Sequence, residues 1–505
     1  MERTTPLPWW RRGLRALGWC VLGAFVAAVA IFIARGLDLP DLEPWHQVEL
    51  NDFAADDGGP DTTLDDYLAA EAQLFTELAK ASAEWEGARE PLSRYNPDGP
   101  MRPGIEGRDW NRTFQLPPAG PVVGTALLLH GLSDSPYSVR AAAELLAAHG
   151  YHALGMRMPG HGAAPGVLAG ADWRDWRSAV EIGARAAAEK APGKPFFVVG
   201  YSNGAALAVD YSLAALDDDA LPRPDGLVLM SPALRVSKLA ALAGLQIRLS
   251  HLPGLGKLAW TDVVPEYDAY KYNSFPLAAA QQIYRLTDDV EHRLVAAGKA
   301  GRLGELPPVL AFASVVDATV PQRPSLERLY GRRDDPRDQL VLFDLRRGAD
   351  VRPLLAPGTG EVATMYDTAP LPYAITLVTN RGDEQPEMIA RSRDAGASEE
   401  TVTPIGLDWP PGFYSLSHVA LPFPADDPLY GVDPAAGRPI SLGDLEPRGE
   451  RGVLIVSADL LQRLRSNVFF DYLEERTLGF VDGIAGVERE VPTTAEEEEG
   501  NVAAE

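Results

Sequence analysis

A serine between two glycines is the first group in this sequence that could do chemistry. Residues 200–204 read GYSNG, a G-x-S-x-G pattern that directly follows the apolar run PFFVV and opens a helical stretch. The glycines permit a sharp strand-to-helix turn, which would place the Ser202 hydroxyl at a helix N-terminus, where the helix dipole favours developing negative charge. We interpret Ser202 as a nucleophile, with a buried serine in a tight turn as the alternative.

A serine hydroxyl needs a general base, and the base needs an acid to orient it. In strand–serine–helix motifs of this kind, the acid and then the histidine follow the nucleophile along the chain. Asp317 comes just after the apolar run PPVLAFA, and His418 is the one histidine of eight that follows it. We therefore predict Asp317 as the acid and His418 as the base, although they are 101 residues apart. Asp344 is the competing acid, and a turn or helix-capping role is the alternative for Asp317.

An oxyanion hole requires two backbone N–H groups that point at the developing charge. The N–H group that follows the nucleophile, that of Asn203, is the first candidate. The second should lie in the loop after the first core strand, where TALLL is followed by HGLSD, and we predict the Leu132 N–H group there. His130 in this loop and His161 in a Gly-His-Gly turn are interpreted as structural residues.

Alternating strand and helix patterns surround these residues. Short apolar runs are typical of buried parallel strands, and amphipathic stretches between them are typical of helices. Their alternation predicts an α/β fold with a doubly wound, mostly parallel sheet. The predicted strands are 125–129, 152–156, 195–199, 226–230 and 308–313, and the predicted helices are 137–148, 172–190 and 203–216.

The chain is long enough for one large domain with insertions. A Leu- and Ala-rich stretch broken by prolines predicts a helical cap at about 233–300, and a polar, Gly- and Pro-rich stretch predicts a second insertion at about 345–410. The other predicted divisions are a linker and packing segment at 36–112 with a helix at 65–84, a domain at 113–490 with a closing helix at 458–483, and a disordered acidic tail at 491–505.

The N-terminal segment predicts a membrane anchor. Ala16–Ala34 is an uncharged run of bilayer-spanning length, and three arginines precede it. The positive-inside rule then predicts a cytoplasmic stub and transmembrane helix at 1–35, in the inner membrane of a bacterium, with the remaining chain facing the periplasm or exterior. A cleaved signal peptide is the alternative, because Ala28–Ala30 resembles a cleavage site.

Composition excludes several classes of function. The formal net charge is −25, and no basic patch is dense enough to indicate a nucleic-acid partner. This charge favours neutral substrates over anionic ones. The single cysteine, Cys20, excludes an intramolecular disulfide, and the scattered histidines form no zinc-binding motif.

Several motifs resemble a known family. HGLSDSPYS, MRMPGHG and GYSNG are similar to the lysophospholipase and monoglyceride-lipase-like branch of the α/β-hydrolases, which includes the serine aminopeptidase S33 type. VVPEYDAYKYNSFP, SVVDATVP and SLSHVALPF resemble membrane-anchored bacterial members, and the resemblance runs from about 110 to 429. It implies the α/β-hydrolase fold and hydrolysis of a small carboxylic ester or lipid-like substrate through an acyl-enzyme on Ser202. It also implies that no metal or organic cofactor is needed.

Two other functions remain open at this point. A serine aminopeptidase-like amide hydrolase would use the same sheet and triad. A catalytically inactive, membrane-tethered binding protein on the same fold is the other alternative, although it would not need all three triad residues. The apolar stretch 239–260 could line an acyl pocket or contact lipid, and ordinary core packing is equally consistent with it. The sequence does not indicate an oligomeric state.

Overall fold

The structure, a computed structural model, describes most of the chain. The described residues are 9–105, 107–236, 243–317, 319–346, 361–368, 370–382, 385–410, 415–431, 438, 441–443 and 466–488. The predicted acidic tail at 491–505 therefore lies outside the described residues, as do parts of the predicted cap, second insertion and closing-helix segments.

A ten-stranded sheet forms the centre of the described chain, in the order β1-β3-β2-β4-β5-β8-β9-β10-β11-β12. Strand β1 is antiparallel to β3, the strands from β3 to β10 are parallel, and β11 and β12 are added antiparallel. The strands are β1 Phe114–Leu116, β2 Gly124–Leu129, β3 Tyr151–Met156, β4 Phe196–Tyr201, β5 Gly226–Met230, β6 Trp260–Asp262, β7 Phe275–Pro276, β8 Val309–Ser314, β9 Gln339–Phe343, β10 Ala374–Gly382, β11 Gln385–Arg393 and β12 Thr401–Asp408.

Helices cover both faces of this sheet, as the sequence predicted. Alternate residues of β2 enter two different hydrophobic clusters: Leu127 packs with residues of α6, α7 and α9, and Leu128 packs with residues of α4 and α12. Burial on both faces explains why the core strands read as continuous apolar runs. The α-helices are α1 Trp9–Leu37, α2 Pro44–Gln47, α3 Leu64–Ser82, α4 Arg140–Ala148, α5 Pro165–Gly170, α6 Trp173–Glu189, α7 Asn203–Asp217, α8 Ala243–Ser250, α9 Leu277–Lys299, α10 Gln322–Tyr330, α11 Thr364–Asp367 and α12 Phe470–Ala485.

The segment before the sheet is fixed to it by a buried group of charges. Arg157, just after β3, is wholly buried; it forms a two-bond pair with Asp52 and donates from Nε to Glu71 of α3 at 3.0 Å. The Tyr67 hydroxyl also donates to the Arg157 carbonyl at 2.6 Å. Helix α3, predicted at 65–84, therefore packs directly on the core that surrounds the sheet.

The segment predicted as a helical cap holds two different kinds of structure. Its first part contains α8 and the two-stranded ribbon β6–β7. Its second part is α9, whose buried side chains, Leu286 among them, join the same core cluster as α7. Helix α9 therefore belongs to the layer that covers the sheet.

The segment predicted as a second insertion extends the sheet. Strand β10 pairs in parallel with β9, and β11 and β12 follow as antiparallel neighbours. The separation of 101 positions between Asp317 and His418 therefore includes four successive strands of the main sheet, β9 to β12.

The N-terminal prediction is not supported by the structure. Helix α1 covers the predicted segment, Ala16–Ala34. Within the described residues, no helix combines the length and the apolar character needed to cross a membrane. A location of the chain after this segment outside the cytoplasm stays a prediction.

Candidate active site

Ser202 lies at the turn between β4 and α7, in a strained backbone conformation. Its φ and ψ are 54° and −111°, a combination that residues other than glycine rarely adopt and that costs about 1–3 kcal/mol. Two hydrogen bonds hold the turn: Ser202 N–H donates to Met230 O at 2.9 Å, and Ala233 N–H donates to Ser202 O at 3.2 Å. The strain is localised at the residue predicted to be the nucleophile.

The flanking glycines are required because the turn packs against β2 and against itself. A Cβ on Gly204 would lie 2.1 Å from the Leu129 carbonyl oxygen, and a Cβ on Gly200 would lie 2.5 Å from Gly204 O. Neither space can hold a methyl group, since both contacts are to backbone atoms.

Asp317 and His418 form a hydrogen-bonded pair at the same edge of the sheet. His418 Nδ1 lies 2.7 Å from Asp317 Oδ2, and the two side chains are 4% and 1% exposed. Burial by itself raises the pKa of Asp317. The His418 charge and the hydrogen bonds to the carboxylate lower this pKa by more, so the pKa of Asp317 is lowered overall. The acid is thus held as a carboxylate, with the Nδ1 side of the imidazole facing it.

Tyr201 links this pair to the serine turn. Its hydroxyl donates to the His418 carbonyl at 3.3 Å, and the two rings lie 5.4 Å apart. On its other side, a Cβ on Gly131 would lie 2.9 Å from the Tyr201 ring. The residue before Ser202 therefore contacts both the His418 loop and the loop after β2.

The two predicted oxyanion donors lie on the loops that meet at Tyr201. Asn203 is the first residue of α7, and Leu132 follows Gly131 in the loop after β2. Within the described part of the chain, neither N–H group donates a hydrogen bond. Both remain available for an external acceptor, as an oxyanion hole requires.

A comparison with known protein families finds one match. Residues 120–332 match the family model Hydrolase_4, described as serine aminopeptidase, S33. The match covers less than half of the chain and includes strands β2 to β8. The matched range includes the serine turn and Asp317, whereas His418 lies beyond it. No curated protein sequence matches the chain.

Solved structures of similar fold include lipolytic enzymes. A structure reported for the metagenome-derived lipolytic enzymes LipS and LipT is 22% identical, with a TM-score of 0.38, and the match covers 46% of this chain and 87% of that one. Monoacylglycerol lipase from Paleococcus ferrophilus is 20% identical, with a TM-score of 0.35 and coverage of 46% and 88%. A soluble variant of monoglyceride lipase from Saccharomyces cerevisiae, in complex with a substrate analogue, is 15% identical, with a TM-score of 0.36 and coverage of 46% and 81%.

The other two histidines near the hydrolase site support loops. His130 Nε2 accepts from Met158 N–H at 2.9 Å and Nδ1 lies 2.8 Å from Gly131 O, so the ring is neutral with its proton on Nδ1. Burial lowers the pKa of His130 well below its usual value, and burial lowers the pKa of His161 to about 4. These contacts agree with the structural roles predicted for both residues.

Asp344 contacts a different part of the hydrolase domain. Its carboxylate accepts from the Thr379 hydroxyl at 2.8 Å and from Leu345 N–H at 2.9 Å. The carboxylate that contacts His418 is that of Asp317. Among the described residues, no group of three or more histidine, cysteine or carboxylate side chains could hold a metal ion.

Three contacts at the candidate site were not predicted from the sequence. Gln322 Nε2 donates to Asp317 Oδ2 at 2.7 Å. Lys271 Nζ lies 2.6 Å from Asp134 Oδ1, and Tyr272 N–H donates to Ser133 O at 2.8 Å, so residues 271–272 hold the loop that carries Leu132. Lys271 and Tyr272 lie within the motif VVPEYDAYKYNSFP, but nothing in that motif indicates which residues they contact, and Gln322 directly follows the motif SVVDATVP.

Proposed function

We propose that the chain is a serine hydrolase that cleaves carboxylic esters through an acyl-enzyme on Ser202. The observation that carries the proposal is the buried 2.7 Å contact between His418 Nδ1 and Asp317 Oδ2, beside the strained serine turn. A carboxylate bound to one ring nitrogen leaves the other, Nε2, to accept the serine proton.

The proposed reaction has two steps. His418 accepts the proton of the Ser202 hydroxyl as its oxygen attacks the ester carbonyl, and the alcohol leaves with that proton. The Asn203 and Leu132 N–H groups stabilise the oxyanion in each tetrahedral intermediate. His418 then deprotonates a water molecule whose oxygen attacks the acyl carbonyl, and it returns that proton to Ser202 Oγ as the carboxylic acid leaves. All these groups belong to the chain itself.

The charge of the chain supports a neutral substrate. A net charge of −25 disfavours the approach of anionic substrates at low ionic strength. Neutral short-chain and medium-chain acyl esters are therefore the first substrates to test, with acyl length varied in steps.

Labelling with a fluorophosphonate probe tests the proposal directly. We expect the wild-type chain to be labelled and Ser202→Ala to be folded but unlabelled and inactive. Ser212→Ala is the matched control, because Ser212 is a buried serine in α7 that donates to Ala208 O within its own helix. Unchanged hydrolysis by Ser202→Ala would exclude the proposed nucleophile, and absence of both labelling and hydrolysis in the wild type would favour the inactive binding protein.

The family description favours one second candidate, an amide hydrolase of the serine aminopeptidase type. The same triad would cleave an aminoacyl amide. A paired assay with p-nitrophenyl butyrate and an aminoacyl p-nitroanilide separates the two functions. A higher kcat/KM on the anilide would replace the ester proposal with the amide one.

A further inference from the structure

The carboxylate of Asp317 accepts four hydrogen bonds, which is about its full capacity. Oδ1 accepts from Thr319 N–H at 2.7 Å and from Val320 N–H at 2.9 Å. Oδ2 accepts from His418 Nδ1 at 2.7 Å and from Gln322 Nε2 at 2.7 Å. The two backbone donors fix the position of the carboxylate, and the two side-chain donors share the oxygen that faces His418.

Gln322 uses its hydrogen-bonding capacity in an unusual way. The side chain is buried, and its Oε1 has no donor within the described part of the chain. A glutamine that only supported the fold would be expected to use both ends of its amide, because an unpaired buried oxygen reduces stability. Here the amide makes its single side-chain hydrogen bond to Asp317. A carboxylate only accepts, so the NH2 end must face it.

We infer that Gln322 is a positioning residue that holds the Asp317 carboxylate ionised and aimed at His418. This inference rests on the proposed function and adds a fourth residue to the triad. Gln322 is at the first position of α10, so the helix that follows the acid also supplies the donor that stabilises it. The effect on the reaction passes through Asp317 and His418.

The titratable groups near Asp317 allow the pH dependence to be predicted. The nearby titratable groups are His418 and Tyr201. Asp134 interacts electrostatically with both of these side chains, and it is paired with Lys271. Burial raises the pKa of Tyr201 well above its usual value, so Tyr201 stays neutral below pH 10. Loss of the Gln322 donor destabilises the carboxylate, so the Asp317–His418 pair takes up its inactivating proton at a higher pH.

The test measures the acid limb of the pH profile in Gln322→Met and Gln322→Glu. One hydrogen bond to a buried charge corresponds to about a tenfold change in proton affinity, so the acid limb of kcat/KM should rise by about one pH unit in Gln322→Met. It should rise further in Gln322→Glu, since two carboxylates would then face each other. The Glu variant keeps the side-chain volume, so the inference can be tested even if the Met variant does not fold.

Two controls separate this effect from a general loss of stability. Gln282→Met removes another buried glutamine, which accepts from Trp173 N–H at 3.3 Å, and should leave the acid limb in place. The shift should persist when Gln322→Met is combined with Asp134→Asn and compared with Asp134→Asn alone. An acid limb unchanged in both Gln322 variants would refute the inference.

A spectroscopic measurement makes failure of this inference distinguishable from failure of the proposed function. The proton between His418 Nδ1 and Asp317 gives a low-field proton resonance whose pH midpoint reports the pair without any substrate. We expect this midpoint to rise in Gln322→Met even if no ester is hydrolysed. An active, labelled wild type together with unmoved midpoints would refute the role of Gln322 alone.

Discussion

Removal of the Asp52 carboxylate should weaken the whole hydrolase domain, although Asp52 is far from Ser202 in sequence. Asp52 accepts from Arg157 Nη2 at 2.6 Å and from Arg157 Nη1 at 2.9 Å, and its Oδ2 also accepts from Gly160 N–H at 2.7 Å. The Arg157 side chain is 0% exposed and that of Asp52 is 9% exposed. Asp52→Ala would therefore leave a buried guanidinium with Glu71 as its remaining carboxylate partner.

The expected loss is large because the remaining charge cannot be solvated. Breaking a buried ion pair by removing one partner costs about 3–5 kcal/mol. Glu71 stays in place at 3.0 Å from Arg157 Nε, which favours the lower half of that range. We therefore expect Asp52→Ala to reduce the free energy of unfolding by about 3–4 kcal/mol.

Urea unfolding of the full chain, followed by tryptophan fluorescence, measures this loss. Trp45 and Trp85 lie in the segment that Asp52 fixes to the core and report its release. Glu387→Ala is the matched control, because the Arg381–Glu387 pair is exposed at 41% and 44%, and solvent-exposed ion pairs contribute little to stability. If Asp52→Ala lowered the urea midpoint no more than Glu387→Ala, the buried charge group would not be what attaches this segment.

Three other predictions concern the site and its surroundings. Lys271→Met should lower kcat about tenfold with little change in KM, because it removes the contact between Lys271 and Asp134 that holds the Leu132 loop. A tenfold rise in KM would indicate a binding role instead. Gly204→Ala should give no stably folded protein by circular dichroism, because its Cβ would lie 2.1 Å from a backbone oxygen; a native unfolding midpoint would contradict the packing. Burial lowers the pKa of His161 from 6.5 to about 4, so the neutral ring contributes stability above pH 6.5 that is lost as the pH falls towards 4. In urea titrations at pH 7 and pH 4.5, His161→Gln should reduce the difference in unfolding free energy between the two pH values by about 2 kcal/mol. An unchanged difference would contradict this prediction.

The core of the domain was predictable because burial on both faces leaves a strong signal. Strands β2, β4 and β5 are buried along their full length and read as uninterrupted apolar runs. The serine turn was predictable for a related reason, since a glycine on each side of Ser202 is required by backbone contacts. The apolar runs and the glycine pattern both depend on neighbouring residues in the sequence, so they can be recognised without knowing which distant residues are in contact.

The outer strands were not predictable in the same way. Strand β12 is largely exposed, and β11 contains Glu387, Arg391 and Arg393. A solvated edge imposes no apolar pattern, so these strands resemble a polar loop in sequence. The interpretation of 345–410 as a polar insertion followed from that composition, and the sheet contacts that stabilise it are long-range.

The acid and the base were predictable from chain order, whereas their support was not. His418 was selected because no other histidine follows Asp317. Gln322 and Lys271 contact the site through side-chain geometry that depends on how α10 and the 266–274 segment pack. Glutamine and lysine are common residue types, so their presence alone does not predict these contacts. The roles of Gln322 and Lys271 follow from their distances to Asp317 and Asp134.

The long interval between acid and base also has a consequence for synthesis on the ribosome. At about 5–20 residues per second, roughly 5–20 s pass between the emergence of Asp317 and that of His418. During that time the nascent chain can already form the serine turn, but it lacks the imidazole that would activate it. In the proposed mechanism an unfinished polypeptide is therefore inactive until β9 to β12 have been translated and His418 has followed them.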